Sequence, residues 1–146
     1  MFNKIMVCID GSDHSIRAIH TAAEIAAKFG AEAVAANVLE EAAEIAPYVM
    51  AMEAAPDMTA LFEQAELEQS NELKCAETLF AKAGVACKPL AIKGNVVESI
   101  LKAAEDEHAD LIVIGSRGLG GFKRLLLGST SDAVSHHAHC PVLIVR

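Results

Sequence analysis

Two uninterrupted apolar runs, Ile5-Met6-Val7-Cys8-Ile9 and Leu111-Ile112-Val113-Ile114, restrict this chain more than any other feature. Neither alternates with polar residues, as a strand with one wet face would. A continuous run of this length suits a central strand buried on both faces of a parallel sheet. Parallel neighbours cannot be joined by a tight hairpin, so helices are expected between the strands.

The residues between the runs agree. The first run stops at Asp10-Gly11-Ser12-Asp13, a turn in which Ser12 or Asp13 caps a following helix. Ile19, Ala22, Ala23, Ala26 and Phe29 then recur at helical spacing, and Gly30 stands at the expected C-terminal cap. A second strand is expected over Ala33 to Leu39. Glu40 to Pro56, with two prolines and four glutamates, shows no clear period and reads as an irregular excursion. From Asp57 a long helix is predicted, with Met58, Leu61, Phe62, Ala65, Leu73, Ala76, Phe80 and Ala83 on its apolar face and Gly84 at its end. The third strand, Val85 to Ile92, contains Pro89. Proline cannot donate to a ladder, which places this strand at a sheet edge. Gly94-Asn95 opens a helix with Val97, Ile100, Leu101 and Ala104 on its inner face. A short helix from about Ser129 to His137 precedes the last strand, Val142 to Val145.

Five strands alternating with helices predict a single-domain open parallel sheet with right-handed crossovers and helices on both faces. With the proline-bearing strand at the edge, the expected order is 3-2-1-4-5. The topological switch then falls between the first and fourth strands, where such sheets bind ligands outside the carboxyl ends. The loops meeting there begin at Asp10 and Gly115.

Composition removes several classes of function. The 146 residues fit one domain, and no apolar run approaches the ~20 residues that span a bilayer. The first run meets Asp10 too early for a secretory signal, so the reading is cytoplasmic, with no membrane partner. Cys8, Cys75, Cys87 and Cys140 are widely spaced, form no CxxC pair and read as buried, reduced thiols. A net charge of −8 and only 4% aromatic residues argue against nucleic acid.

The chemistry concentrates after the fourth strand, in Gly115-Ser116-Arg117-Gly118-Leu119-Gly120-Gly121-Phe122-Lys123-Arg124-Leu125-Leu126-Leu127-Gly128-Ser129-Thr130. Glycines there let the backbone turn tightly and approach a ligand. Gly128-Ser129-Thr130 opens a helix whose N–H groups and positive dipole end favour phosphate. Arg117, Lys123 and Arg124 reverse the local sign of an acidic protein. The segment is not a P-loop, because Gly120 is followed by Gly121 rather than lysine. Nor is it the dinucleotide fingerprint, since Lys123 occupies the place of the third glycine.

The spacing Gly-x2-Gly-x9-Gly-Ser, from Gly115 through Gly118 to Gly128-Ser129, resembles that of the universal stress protein family, specifically its ATP-binding branch. The resemblance extends to Asp10-Gly11-Ser12 after the opening strand and to the closing Cys140-Pro141-Val142-Leu143-Ile144-Val145. It implies that Gly115, Gly118, Gly128, Ser129 and Thr130 hold the phosphates of ATP, or of AMP or ADP. It further implies that Asp10 contacts the ribose or a phosphate-bound divalent ion such as Mg2+. Val38 would meet the adenine through its backbone, and Ile114 would line the same pocket. Arg117 joins this set on charge alone.

The resemblance also implies a homodimeric, nucleotide-sensing regulator in stress response, working with an unidentified protein partner. The homodimer has a physical argument of its own. Val142 to Val145 forms the other sheet edge, and a bare apolar edge strand is best covered by a second copy.

Three rival readings remain. One is a slow ATPase, or a protein that phosphorylates itself on Ser129, Thr130 or Ser131; no poised general base stands out to support it. Another is a dimer that works through protein contacts without nucleotide. The third is a metal site at His136, His137, His139 and Cys140, whose spacing does not put the imidazoles on one helix face.

Overall fold

The computed structural model describes residues 1–52, 57–118 and 128–146. The elements run β1 (Lys4–Cys8), α1 (Asp13–Phe29), β2 (Glu32–Leu39), α2 (Ala42–Met50), α3 (Met58–Lys82), β3 (Cys87–Lys93), α4 (Val96–Asp106), β4 (Leu111–Gly115), α5 (Ser129–His137) and β5 (Val142–Val145). They form one five-stranded parallel sheet in the order β3-β2-β1-β4-β5, as the strand pattern predicts. Pro89 lies on edge strand β3, in register with Ala35.

The continuous runs have the two-sided burial expected of them. Ile5, Val7 and Ile9 point into a core shared with Ala18, Ile19, Ala22 and Ala26 of α1 and with Leu73, Ala76 and Phe80 of α3. Met6 and Cys8 point the other way, into a core shared with Ile100 and Ala104 of α4 and Val134 of α5. Period-two alternation of side chains across a strand therefore divides one apolar run between two cores. Ser12 caps α1, accepting from the Ser15 N–H at 3.2 Å, and Gly30 ends it in the left-handed region at φ 66°.

Three expectations need correction. Residues 40–56 are not irregular throughout, because Ala42–Met50 forms α2 with Pro47 inside it. The period is hard to see because Glu44 is the one charged residue in the sequence from Ala42 to Met50, so no polar stripe marks a helix. Residues 53–56 of that stretch lie outside the described residues.

Second, the inner face of α3 starts at Gln69, followed by Leu73, Ala76 and Phe80; Leu61 is exposed, and Met58, Phe62 and Ala65 are half-buried. A 25-residue helix is ~37 Å long, whereas a seven-residue strand spans ~23 Å, so the first half of α3 overruns the sheet it packs on.

Third, only Cys8 of the four free thiols is buried; Cys75 is exposed, and Cys87 and Cys140 are half-buried. Apolar neighbours in sequence do not determine which face of a helix a residue occupies.

Candidate functional site

β1 ends at Cys8, and Ile9 donates to the Ala36 carbonyl at 2.9 Å before the chain turns away. β2 continues to Leu39, in register with β3 alone over Asn37, Val38 and Leu39. The Ala36 carbonyl faces β1, and peptide directions repeat every two residues. Val38 therefore presents its backbone toward the crevice beyond the end of β1. On the other side of the switch, β4 ends at Gly115, paired with Val145 of β5.

Asp10 stands in this crevice, half-buried. Its Oδ1 accepts from the Ser12 N–H at 3.0 Å and from Ser12 Oγ at 2.5 Å. Its own N–H donates to Ser15 Oγ at 3.1 Å. Its Oδ2 faces the glycine loop, lying where a Cβ on Gly118 would approach to 2.7 Å. Ser12 Oγ lies 3.5 Å from the Arg117 carbonyl oxygen, so the two switch-point loops touch.

The base of the glycine loop is closed by Ser116. Its carbonyl accepts from the Gly128 N–H at 2.5 Å and from Ser131 Oγ at 3.2 Å, and its N–H donates to Val145 at 2.7 Å. Ser116 Oγ is 3.0 Å from His14 Nδ1. The described ends of the loop are thereby held together, with the start of α5 beside the end of β4. Gly128 is the N-cap of α5 and supplies no side-chain cap, whereas Ser12, Asp57 and Asn95 cap α1, α3 and α4. The first N–H groups of α5, with the Ser129 and Thr130 hydroxyls, are consequently suited to an anion.

The three glycines of the motif have different surroundings. A Cβ on Gly115 would lie 2.8 Å from His14 Cβ and 2.9 Å from the His14 backbone carbon, so this glycine admits the first turn of α1 against β4. Among the described residues a Cβ on Gly118 would meet only Asp10, and one on Gly128 would lie 3.1 Å from the Ser116 carbonyl oxygen. Ile114 is buried in the core on the α4 and α5 side. Arg117 is half-buried at the edge of the loop. Lys123 and Arg124, singled out for their charge, lie outside the described residues. Ser131 is buried, with its hydroxyl directed at Ser116 and Gly128 carbonyls, which makes it a poor phosphate acceptor.

Sequence reasoning missed a polar cluster on the other flank of Asp10. Gln69 Nε2 donates to the Asn37 carbonyl at 2.8 Å and lies 3.3 Å from that of Ile92. Asn37 Nδ2 donates to Glu72 Oε2 at 2.6 Å. The Glu72 carboxylate also sits against Gly11, whose φ of 80° and lack of a side chain leave it room. Burial raises the Glu72 pKa above the ordinary glutamate range; the Asn37 hydrogen bond opposes this, and the charges of Asp10 and Glu68 reinforce it. The available signal was Gln69 itself, a polar residue four before Leu73 on the same helix stripe.

His139 Nε2 lies 3.2 Å from the Ala109 carbonyl and His136 beside Asp132. Among the described residues no cluster of three potential ligands is placed to hold a metal. Among the same residues no helix is long and apolar enough to cross a membrane.

The profile of the universal stress protein family matches residues 1–146. A curated relative, universal stress protein YxiE of Bacillus subtilis, is 35% identical, with all of both chains covered. Universal stress protein UspA from Lactobacillus plantarum has a matching fold at a TM-score of 0.83 and 24% identity, over 99% of this chain and 97% of that one. Two other similar structures hold adenine nucleotides. One is a universal stress protein in complex with cAMP (TM-score 0.75, 24% identity, 99% and 97% covered). The other, from Archaeoglobus fulgidus, is in complex with dAMP (TM-score 0.73, 20% identity, 99% and 98% covered). A full-length profile match and a full-length relative above 30% identity carry the assignment that the loop motif implied, and the chain belongs to the universal stress protein family.

Proposed function

We propose that this chain binds an adenine nucleotide at the switch point, ATP or else AMP or ADP, and acts as a homodimeric nucleotide-sensing module. The observation that carries the reading is the meeting of Asp10 Oδ2, Gly118 and the side-chain-free N-cap of α5 in one crevice. In this reading Gly118, Gly128, Ser129 and Thr130 receive the phosphates, with Gly115 shaping the loop and Arg117 adding positive charge. Asp10 takes the ribose or a divalent ion such as Mg2+ accompanying the phosphates, through the oxygen that Ser12 does not hold. Val38 meets the base through its backbone, and Ile114 backs the pocket. The bound cAMP and dAMP of the two similar structures support adenine as the base. Edge strand β5, with Leu143 exposed, supports a second copy pairing there.

Calorimetric titration with ATP, AMP and GTP, with and without magnesium, tests the ligand. Adenine-selective binding that disappears in Gly118→Val is expected. Absence of adenine-nucleotide binding by the native chain would sink the reading. Sedimentation of native protein beside Leu143→Glu tests the dimer, which should dissociate in the variant.

A further inference from the structure

Gln69 differs in kind from the residues that follow it on the inner face of α3. Leu73, Ala76 and Phe80 are apolar, and Gln69 is buried with them at 5% exposure. A leucine would fill such a position without the cost of taking a primary amide out of water. Gln69 offsets that cost through two main-chain carbonyls, donating from Nε2 to Asn37 at 2.8 Å and lying 3.3 Å from that of Ile92.

One turn further along the same helix, Glu72 Oε2 accepts from Asn37 Nδ2 at 2.6 Å. Helix α3 therefore grips Asn37 at two points, by its carbonyl and by its side chain, and Asn37 is itself buried. The peptide that follows Asn37 gives this arrangement a use. The Asn37 carbonyl and the Val38 N–H belong to one planar trans peptide and point in opposite directions. Gln69 holds the carbonyl end, beside β3. The N–H end is directed past the end of β1, into the switch-point crevice. A hydrogen bond accepted at the carbonyl polarises the peptide and strengthens its N–H as a donor.

We propose, resting on the nucleotide reading of the switch point, that Gln69 is a positioning residue for base recognition. Through the Asn37–Val38 peptide it aims and polarises the main-chain N–H that meets the base. Glu72 steadies the same peptide through the Asn37 side chain. The edge of the base presented to this N–H is an acceptor, which a ring nitrogen of adenine supplies.

The test compares AMP with ribose 5-phosphate, which keeps the sugar and phosphate and lacks the base. Native full-length protein and Gln69→Met, which keeps the side-chain length and removes the donor, are titrated where circular dichroism shows both folded. In the variant the Kd for AMP should rise at least about tenfold, while that for ribose 5-phosphate changes less than about twofold. Unchanged AMP affinity, or equal weakening of both ligands, overturns the proposal. A second readout needs no variant. When AMP is added to the native chain, the NMR signals of the Val38 backbone amide and the Gln69 side-chain amide should shift together. The side-chain amide of Gln64, bonded to Glu68 on the exposed part of α3, is the control and should stay in place. A shift at Val38 with none at Gln69 overturns the proposal and leaves the nucleotide reading standing. No binding of AMP by the native chain overturns that reading, and the proposal with it.

Discussion

Oδ2 of Asp10 faces Gly118 so closely that a Cβ on residue 118 would stand 2.7 Å from it, while Oδ1 is held by Ser12. Gly115, three residues earlier in the motif, faces the first turn of α1 instead, with a Cβ there falling 2.9 Å from the His14 backbone carbon. One glycine borders the crevice and the other borders the core.

Alanine at these positions should separate the two roles. Gly115→Ala forces α1 away from β4, an overpacking cost of about 1–3 kcal/mol, and should lower the urea midpoint with little change in slope. Gly118→Ala lies at an exposed position and should change stability by no more than about 0.5 kcal/mol. It should nevertheless weaken adenine nucleotide at least about tenfold, because Asp10 must move to admit the methyl group. Equal loss of stability in both variants would contradict this division.

Gln69 holds the carboxyl ends of β2 and β3 from the helix side, through the Asn37 and Ile92 carbonyls. Gln69→Leu keeps much of the volume and removes the donor, leaving buried carbonyl groups without that partner at a cost of about 1–3 kcal/mol. Urea unfolding should show the loss. Because Asn37 immediately precedes Val38, amide exchange at Val38 should also quicken.

The parts of this protein governed by period were legible in the sequence. Continuous apolar runs gave central strands, Pro89 marked the edge, and together they fixed the strand order and the switch between β1 and β4. Glycine spacing then directed attention to Gly115 to Thr130. What remained hidden depends on where helices end in space. Gln69 and Glu72 sit in sequence like other polar residues of a long helix, and only the docking of α3 on β2 and β3 carries them to Asn37 and Gly11. The closure of the loop by Ser116, Gly128 and Ser131 was equally invisible, because it joins residues through a backbone carbonyl that carries no residue-specific signal.

The thiols should react in an order set by exposure. Burial pushes the Cys8 thiol up to about 12, aided by the nearby charge of Asp10, and burial beside Glu77 does the same for Cys87. Thiolate is the reacting form, so both should resist iodoacetamide at pH 8. Cys75, exposed on α3, should be alkylated first. Peptide mapping by mass spectrometry over time checks the order, and early labelling of Cys8 in the native state would contradict its burial.

Glu72 should make stability depend on pH in a defined direction. Its folded-state pKa is raised, chiefly by burial, with Asp10 and Glu68 adding repulsion and the Asn37 hydrogen bond opposing them. The folded protein therefore holds this proton where the unfolded chain has begun to release it. The associated stabilisation is fully present below the ordinary glutamate pKa of about 4.3 and is lost as pH rises through the raised folded value. Glu72→Gln imitates the protonated group and keeps an oxygen for Asn37. Its stability relative to the native chain should consequently improve as pH rises above the ordinary glutamate pKa, then level off once the raised folded value is passed. Asp10→Asn removes one repelling charge and should bring the Glu72 pKa part of the way down, since burial remains. Urea unfolding across that range, with carboxyl carbon shifts followed by NMR, measures both effects. A Glu72→Gln advantage that shrinks as pH rises would reverse the sign and refute the assignment.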